Sequence, residues 1–500
     1  MNPPPTSPSS PLPTSPSSGS PSDPDFGRSL PRMGVPPAGP RARALAARLA
    51  RVESRNVTFL GSADAGAGSG ADAAAASGTD PSAGVPIFWT AAKGANVLDA
   101  DGNLYLDLTG AFGVAVAGHA HPAVLDAMAS QGARLVHGMG DVHPPEIKVE
   151  LLERLAGVAP WPDCRGFLAN SGSEAVEAAL KTAMLATGRG GILAFEGGYH
   201  GLTLGSLNAT HRADFREPFA AHLHGGVHFA PFPDALEASG GGSGAEQSAL
   251  EASLADVDRL LAAAAAAGTP VGAVLVEPVQ GRAGVRVPVA GFLAGVAERA
   301  RRAGAVVIHD EIFSGFGRTG RMFAAEWEGE AARPDLLCVG KALGGGLPLS
   351  ACLGSVEVMN AWPASTGEAL HTSTFLGHPL ACATALAFLT VLEEERLVAR
   401  ATATGDRLRA GLAGALDGVP QVRGVRGRGM FLGVVLDGPG APPAAGVRVA
   451  EEALRRGVIL LPAGSKGEVV ELSPPLVLTP AQADAAVEIV AASVLAVVRR

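Results

Sequence analysis

Three short stretches carry residues whose types could do chemistry together. Lys341 follows the apolar run Leu336-Leu337-Cys338-Val339-Gly340 and precedes Ala342-Leu343 and the glycines Gly344–Gly346. Upstream, Ala305-Val306-Val307-Ile308-His309-Asp310-Glu311 is a second apolar run that ends in charge. Short β-branched runs bounded by glycine read as buried strands of a parallel sheet. Ligands of such sheets sit beyond the carboxyl ends of the strands. An amine and a carboxylate therefore share one rim. That combination suits pyridoxal phosphate, which takes a lysine as a Schiff base and needs an acid beside its pyridine nitrogen. The third stretch, Gly166–Val176, runs from an apolar segment into an alanine-rich helix with Val176, Ala179, Leu180 and Ala183 at helical spacing. Ser171 with Glu174 fits a capping box. Gly172 and Ser173 at that helix start offer N–H groups and a hydroxyl to an anion. A plain N-cap is the alternative, and the lysine and aspartate favour the phosphate.

The elements that must position these residues alternate. Gly272–Val276 is another apolar run, ending in Glu277. Phe292–Ala303 has helical spacing, and Ala305–Glu311 is the next strand. That rhythm predicts βαβ units in a mainly parallel sheet. The last hundred residues open with a long helix, Ala381–Leu397. Shorter strands such as Met430–Leu436 and Val469–Leu472 follow, as in a smaller α+β lobe. The expected division is a disordered Pro/Ser-rich tail over 1–40, an N-terminal segment joining the small domain over 41–110, a large cofactor-binding domain over 111–385 and a C-terminal small domain over 386–500. Low-complexity patches at 61–82 and 238–246 read as surface insertions.

Composition excludes several classes. A chain of 500 residues with 47% hydrophobic and 17% charged residues has the material for more than one core. A net charge of -9 argues against a nucleic-acid partner. Cys164, Cys338, Cys352 and Cys382 form no CxxC pair and read as reduced residues of a cytoplasmic protein, with no metal site. The first 40 residues lack the apolar core of a signal peptide. The near-apolar run Leu260–Gly268 is too short to span a bilayer, so no membrane partner is expected.

The chain resembles the class III aminotransferases, pyridoxal-phosphate enzymes of fold type I. NSGSEAVEAALKTA at 170–183, GGYHGLTLG at 197–205 and EPVQGRAGV at 277–285 carry the likeness. HDEIFSGFGRTGRMFAAE at 309–326, PDLLCVGKALGGGLPLSA at 334–351 and TSTFLGHPLACATALA at 372–387 continue it. The resemblance implies an α/β large domain, its mainly parallel sheet flanked by helices, and a small α+β domain built from both chain ends. It implies transfer of an amino group from an amine or amino acid to a 2-oxo acid, with an amino-acid racemase or epimerase as the alternative. Lys341 would bear the Schiff base and shuttle the proton, and Asp310 would pair with the pyridine nitrogen. Ile312 and Tyr199 would cover the two ring faces, with His200 either touching the cofactor or filling space. Gly172 and Ser173 would hold the phosphate, and Thr374 would reach the phosphate of a neighbouring subunit, which makes a homodimer or dimer of dimers. Val114, Glu277, Arg282 and Glu471 are the substrate-site candidates.

Departures from the family pattern bear on substrate. Leu202 stands where ornithine and 4-aminobutyrate aminotransferases carry a carboxylate-binding arginine. Arg282 and Glu471 replace a glutamate and an arginine of opposite sign, so a pair with exchanged charges is expected across the substrate entrance. Phe313 replaces a glutamine that hydrogen-bonds the cofactor. Gly315–Gly320 spells GxGxxG, but it follows an Asp-Glu strand end, which argues against a nicotinamide dehydrogenase.

Overall fold

The computed structural model describes residues 25–59 and 84–499. Its first strands, β1 (Trp89–Lys93), β2 (Asn96–Asp99) and β3 (Leu104–Asp107), form an antiparallel meander. The central sheet follows, from β4 (Cys164–Ala169), β5 (Gly191–Phe195), β6 (Val227–Ala230) and β7 (Val271–Val276) to β8 (Val306–Asp310), β9 (Leu336–Val339) and β10 (Ser350–Ser355). Its order is β4-β10-β9-β8-β7-β5-β6, and β10 runs antiparallel to both neighbours while the other pairs are parallel. The remaining strands are β11 (Gly424–Arg428), β12 (Phe431–Val435), β13 (Val458–Ile459), β14 (Leu461–Ala463) and β15 (Val469–Leu472). Strand β13 pairs with β3, so the smaller lobe is woven from both chain ends.

Strands β7, β8 and β9 are buried at every position because helices cover both faces of the sheet. Helix Gly172–Thr187 packs through Ala175, Val176 and Ala179 on Leu275, Ile308 and Cys338. Helices Ala245–Ala266 and Phe292–Arg302 cover the other face over Val274, Val276 and Val307. Each such valine, leucine or isoleucine contributes roughly 1.5–3 kcal/mol by leaving water. The same burial makes the strand ends rigid platforms. In the parallel β8–β9 register Asp310 lies opposite Cys338, which sets Lys341 just beyond the same rim.

One expectation needs correction. Residues 25–39 are not a disordered tail. Phe26 and Ala38 are buried, Arg32 bridges Leu104, and Asn103 Oδ1 accepts the N–H groups of Gly34 and Val35. The helix expected over 381–397 is Pro379–Glu394, and a second helix, Leu397–Ala415, begins after Arg396 in the left-handed region. The most apolar long helix is Pro480–Val498, of 19 residues and mean hydropathy 1.7, which packs on helices Leu397–Ala415 and Ala445–Arg455 of the small lobe. The patch at 61–82 lies outside the described residues. The one at 238–246 is an exposed link between helices Ala235–Ser239 and Ala245–Ala266.

Candidate active site

Lys341 opens a single 3-10 turn after β9 with φ +43°, a left-handed conformation that costs a side-chain-bearing residue about 1–3 kcal/mol. The strain is held by the rigid strand before it and the close packing of Gly340 and Gly345 around it. Its Nζ lies 3.7 Å from the ring centroid of Phe313, and that ring rests on Phe431 with centroids 4.4 Å apart. Glycines make room for Phe313. A Cβ on Gly113 would come within 2.3 Å of its ring and one on Gly281 within 2.8 Å. Burial pushes the Lys341 ammonium below its ordinary range, against the opposing pull of Asp310, Glu471 and Glu277.

Asp310 ends β8 and is fully engaged. His200 Nδ1 lies 2.8 Å from Oδ2, and the Ile312 N–H donates to Oδ1 at 3.1 Å. His200 is buried, and its backbone N–H donates to Thr210 Oγ1. Ile312 then packs against the start of helix Gly172–Thr187, where a Cβ on Gly172 would meet Ile312 Cδ1 at 2.8 Å.

At that helix start Ser171 Oγ accepts the Glu174 N–H, while Glu174 reaches back to the Asn170 N–H, one residue before the expected capping-box partner. Ser173 Oγ lies 2.9 Å from Thr203 Oγ1 and 2.5 Å from Ser206 Oγ, which gathers three hydroxyls beside the free amides of the first turn. Asn170 Nδ2 donates to Ser373 Oγ, tying the exposed Thr374 loop to the same end.

A pyridoxal phosphate fits these groups. The first turn with its hydroxyls could take the phosphate, Lys341 the aldehyde, Asp310 the ring nitrogen, and Ile312 one ring face. Tyr199 lies beside the site with its N–H on Glu277 Oε1 and its ring edge-on to Phe215.

Residues 78–494 match the family model for class III aminotransferases. The chain is 37% identical over 404 residues to the acetylornithine aminotransferase of Methanothermobacter thermautotrophicus, covering 81% of this chain and 93% of that one. It is 38% identical over 402 residues to the acetylornithine aminotransferase of Corynebacterium efficiens, at 79% and 89% coverage. Among solved structures, an omega transaminase from Pseudomonas jessenii in complex with PMP superimposes with a TM-score of 0.77 at 27% identity, covering 83% and 93%. An ornithine aminotransferase from Toxoplasma gondii gives a TM-score of 0.72 at 30% identity, covering 84% and 93%. The chain belongs to the class III aminotransferases. It is a pyridoxal-phosphate-dependent enzyme of fold type I, and these relatives lend no support to a racemase.

Within this aminotransferase, each substrate-site candidate has a definite place. Glu277 is buried with one carboxylate oxygen on the Tyr199 N–H and the other on the Gly281 N–H, so it ties two loops together. Burial lifts its carboxyl from 4.5 to about 7. Arg282 and Glu471 form no ion pair. Arg282 is partly exposed in the Gly281–Gly284 turn, with its carbonyl held by the Gly464 N–H, whereas Glu471 is buried on β15 and accepts Ser473 Oγ at 3.0 Å. Val114 is partly buried beside Gly113. Gly315–Gly320 is a run of turns that opens no helix.

Sequence reasoning missed Arg318 inside that run. It is fully buried, donates from Nη1 to the carbonyls of Met430 and Pro474, and leaves Nε and Nη2 without partners. The signal available was a single arginine in a glycine-rich turn directly after a strand. It also missed the hydrogen bond between His200 and Asp310.

Proposed function

We propose that this aminotransferase moves an amino group between a primary amine and a 2-oxo acid, with Lys341 and Asp310 as the catalytic pair. The observation that carries the reading is their convergence on one rim, the amine partly desolvated and the carboxylate locked by His200. When bound, pyridoxal phosphate supplies an aldehyde that joins amines and a ring that delocalises the carbanion. Lys341 would hold the cofactor aldehyde and would move the proton at the donor carbon. Asp310 would hold the proton on the ring nitrogen. His200 is a positioning residue that fixes the Asp310 oxygens. Ile312 and Tyr199 would bracket the ring, and Gly172 and Ser173 would bind its phosphate. The relatives are acetylornithine aminotransferases, but Leu202, Arg282 and Glu471 argue that this chain recognises a different donor. Arg282, at the partly exposed rim, suits the acceptor carboxylate.

The working unit in this reading is a homodimer in the cytoplasm. An apolar patch lies beside the phosphate end: Val136, Met139, Val142, Leu370 and Phe375 are each more than half exposed. Thr372 Oγ1 joins its two segments by donating to Asp141 Oδ2. Thr374 sits in that patch, where a second subunit would be covered by it. The four unpaired cysteines accord with a reducing compartment.

Borohydride reduction and peptide mapping test the centre of the reading: the pyridoxyl group should be on Lys341, and labelling of another lysine would sink it. Thr374→Ala should weaken cofactor retention. Mixing it with Lys341→Ala chains should restore activity if Thr374 serves its neighbour, because one site of the mixed dimer is then whole. Persistent inactivity with proven heterodimers would place Thr374 in its own subunit's site.

A further inference from the structure

Beside the Gly315–Gly320 run lies a cavity of about 670 Å³, a volume in the range of small-molecule sites. Three helices meet there: the end of Glu146–Val158, the last turns of Pro379–Glu394 and the first turns of Leu397–Ala415. Its floor is apolar, made by Val158, Met322, Leu389, Leu392 and Val398. Gly317 lets the run lie close on that floor, since a Cβ there would come within 3.2 Å of Val398 and 3.4 Å of Leu392.

The rim is basic. Arg154, Arg321 and Arg396 stand on it with one carboxylate, Glu393. That carboxylate is spent on Arg154, whose Nη2 donates to its Oε2. Glu395, next to Arg396 in the chain, is held by His121 instead. Among the described residues, Arg321 and Arg396 therefore have no ion pair. Arg321 is nonetheless held in place. Its guanidinium lies 4.8 Å from the ring centroid of Trp327, whose Nε1 donates to the Thr319 carbonyl. Arg396 is fixed through its backbone, in the left-handed region at φ +52° between the two helices. In a chain of net charge -9, two unpaired guanidiniums on one rim are a local reversal of sign. Guanidinium matches a carboxylate in shape as well as in charge, and the floor beside it suits hydrocarbon. The cavity also stays clear of the exposed Phe375 patch. Helix Pro379–Glu394 starts beside that patch and ends at the cavity, about 20 Å further on.

We propose that this cavity binds an amphipathic carboxylate, its head on Arg321 and Arg396 and its hydrocarbon body on the floor, at a site separate from amino transfer. One wall is Gly320–Met322, in the segment that runs from Asp310 and Glu311 to Ala324 and Ala325. Glu311 holds the N–H groups of those two alanines. An occupant thus touches the chain that leaves the catalytic strand end.

The probe is octanoate, titrated into the holoenzyme in calorimetry beside octan-1-ol, which has the same chain length and no charge. A charge-assisted bond to guanidinium predicts that octanoate binds about tenfold more tightly, or better. Arg321→Gln and Arg396→Gln should each weaken octanoate about tenfold and leave amino transfer unchanged, since both side chains are exposed and neither belongs to the catalytic groups. Ala399, exposed on the same rim, allows a second check. Ala399→Glu supplies a carboxylate from the chain itself and should abolish binding, whereas Ala399→Gln, equal in size, should keep it. Absence of octanoate binding to the wild-type holoenzyme overturns the proposal, and so does equal affinity for octan-1-ol. Binding removed by Arg282→Gln but not by Arg321→Gln or Arg396→Gln also overturns it, because the anion then sits at the reaction centre.

Discussion

Asp310 and Glu471 are two buried carboxylates whose charges both act on Lys341, built in opposite ways. Asp310 ends a strand of the rigid central sheet and has a partner on each oxygen. Glu471 sits in a short strand of the small lobe with one oxygen satisfied by Ser473 and the other bare. A fully partnered carboxylate has its charge and direction settled before any ligand arrives, as a group that must act on one fixed atom requires. A half-partnered one leans on neighbouring charge, here the buried Arg318 guanidinium.

The comparison can be broken at several points. The largest effect is expected from Asp310→Asn, which keeps the size but removes the charge. The first half-reaction should slow on the order of 100–1000-fold, measured by stopped-flow absorbance, and a near wild-type rate would mean another group holds the ring proton.

His200→Ala should be next. It leaves Asp310 Oδ2 buried without a donor, a cost of about 1–3 kcal/mol in denaturant titrations. It should also lower kcat more than it raises KM. Asparagine, whose amide can stand where Nδ1 stands, should recover part of both. If His200→Asn is no better than His200→Ala, packing and not the hydrogen bond is what matters.

The smallest effect sharpens the contrast with a third carboxylate. Glu311 is buried beside Asp310 and accepts the N–H groups of Ala324 and Ala325 and the hydroxyl of Ser314. Burial still lifts its carboxyl from 4.5 to about 7. The folded state therefore holds this proton more tightly than the unfolded chain does. Its contribution to stability is full below about pH 4.5 and is lost as pH rises through about 7. Glu311→Gln should flatten the melting temperature between those values, and an unchanged slope would show that Glu311 does not titrate there.

Much of this protein was legible in residue order. Apolar runs of four to six residues capped by charge predicted β7, β8 and β9, because a strand covered on both faces needs side chains that lose nothing by leaving water. The same runs put Asp310 and Lys341 at one rim, and Gly172 and Ser173 at a helix start, since strand direction and helix polarity follow from chain direction alone.

What the sequence could not decide was partnership across the fold. His200 and Asp310 are 110 residues apart, and no local pattern says which buried donor will meet which acid. Arg282 and Glu471 invited pairing because their signs oppose, yet register put Glu471 on an inward face and the turn left Arg282 partly in solvent. Phe313 became the floor beneath Lys341 only because Gly113, Gly281 and Phe431 arrive from three distant segments. Local order determines which groups stand at the ends of elements. Only packing determines which of their atoms are satisfied, and it leaves Glu471 Oε2 and Arg318 Nη2 both buried without a hydrogen-bond partner.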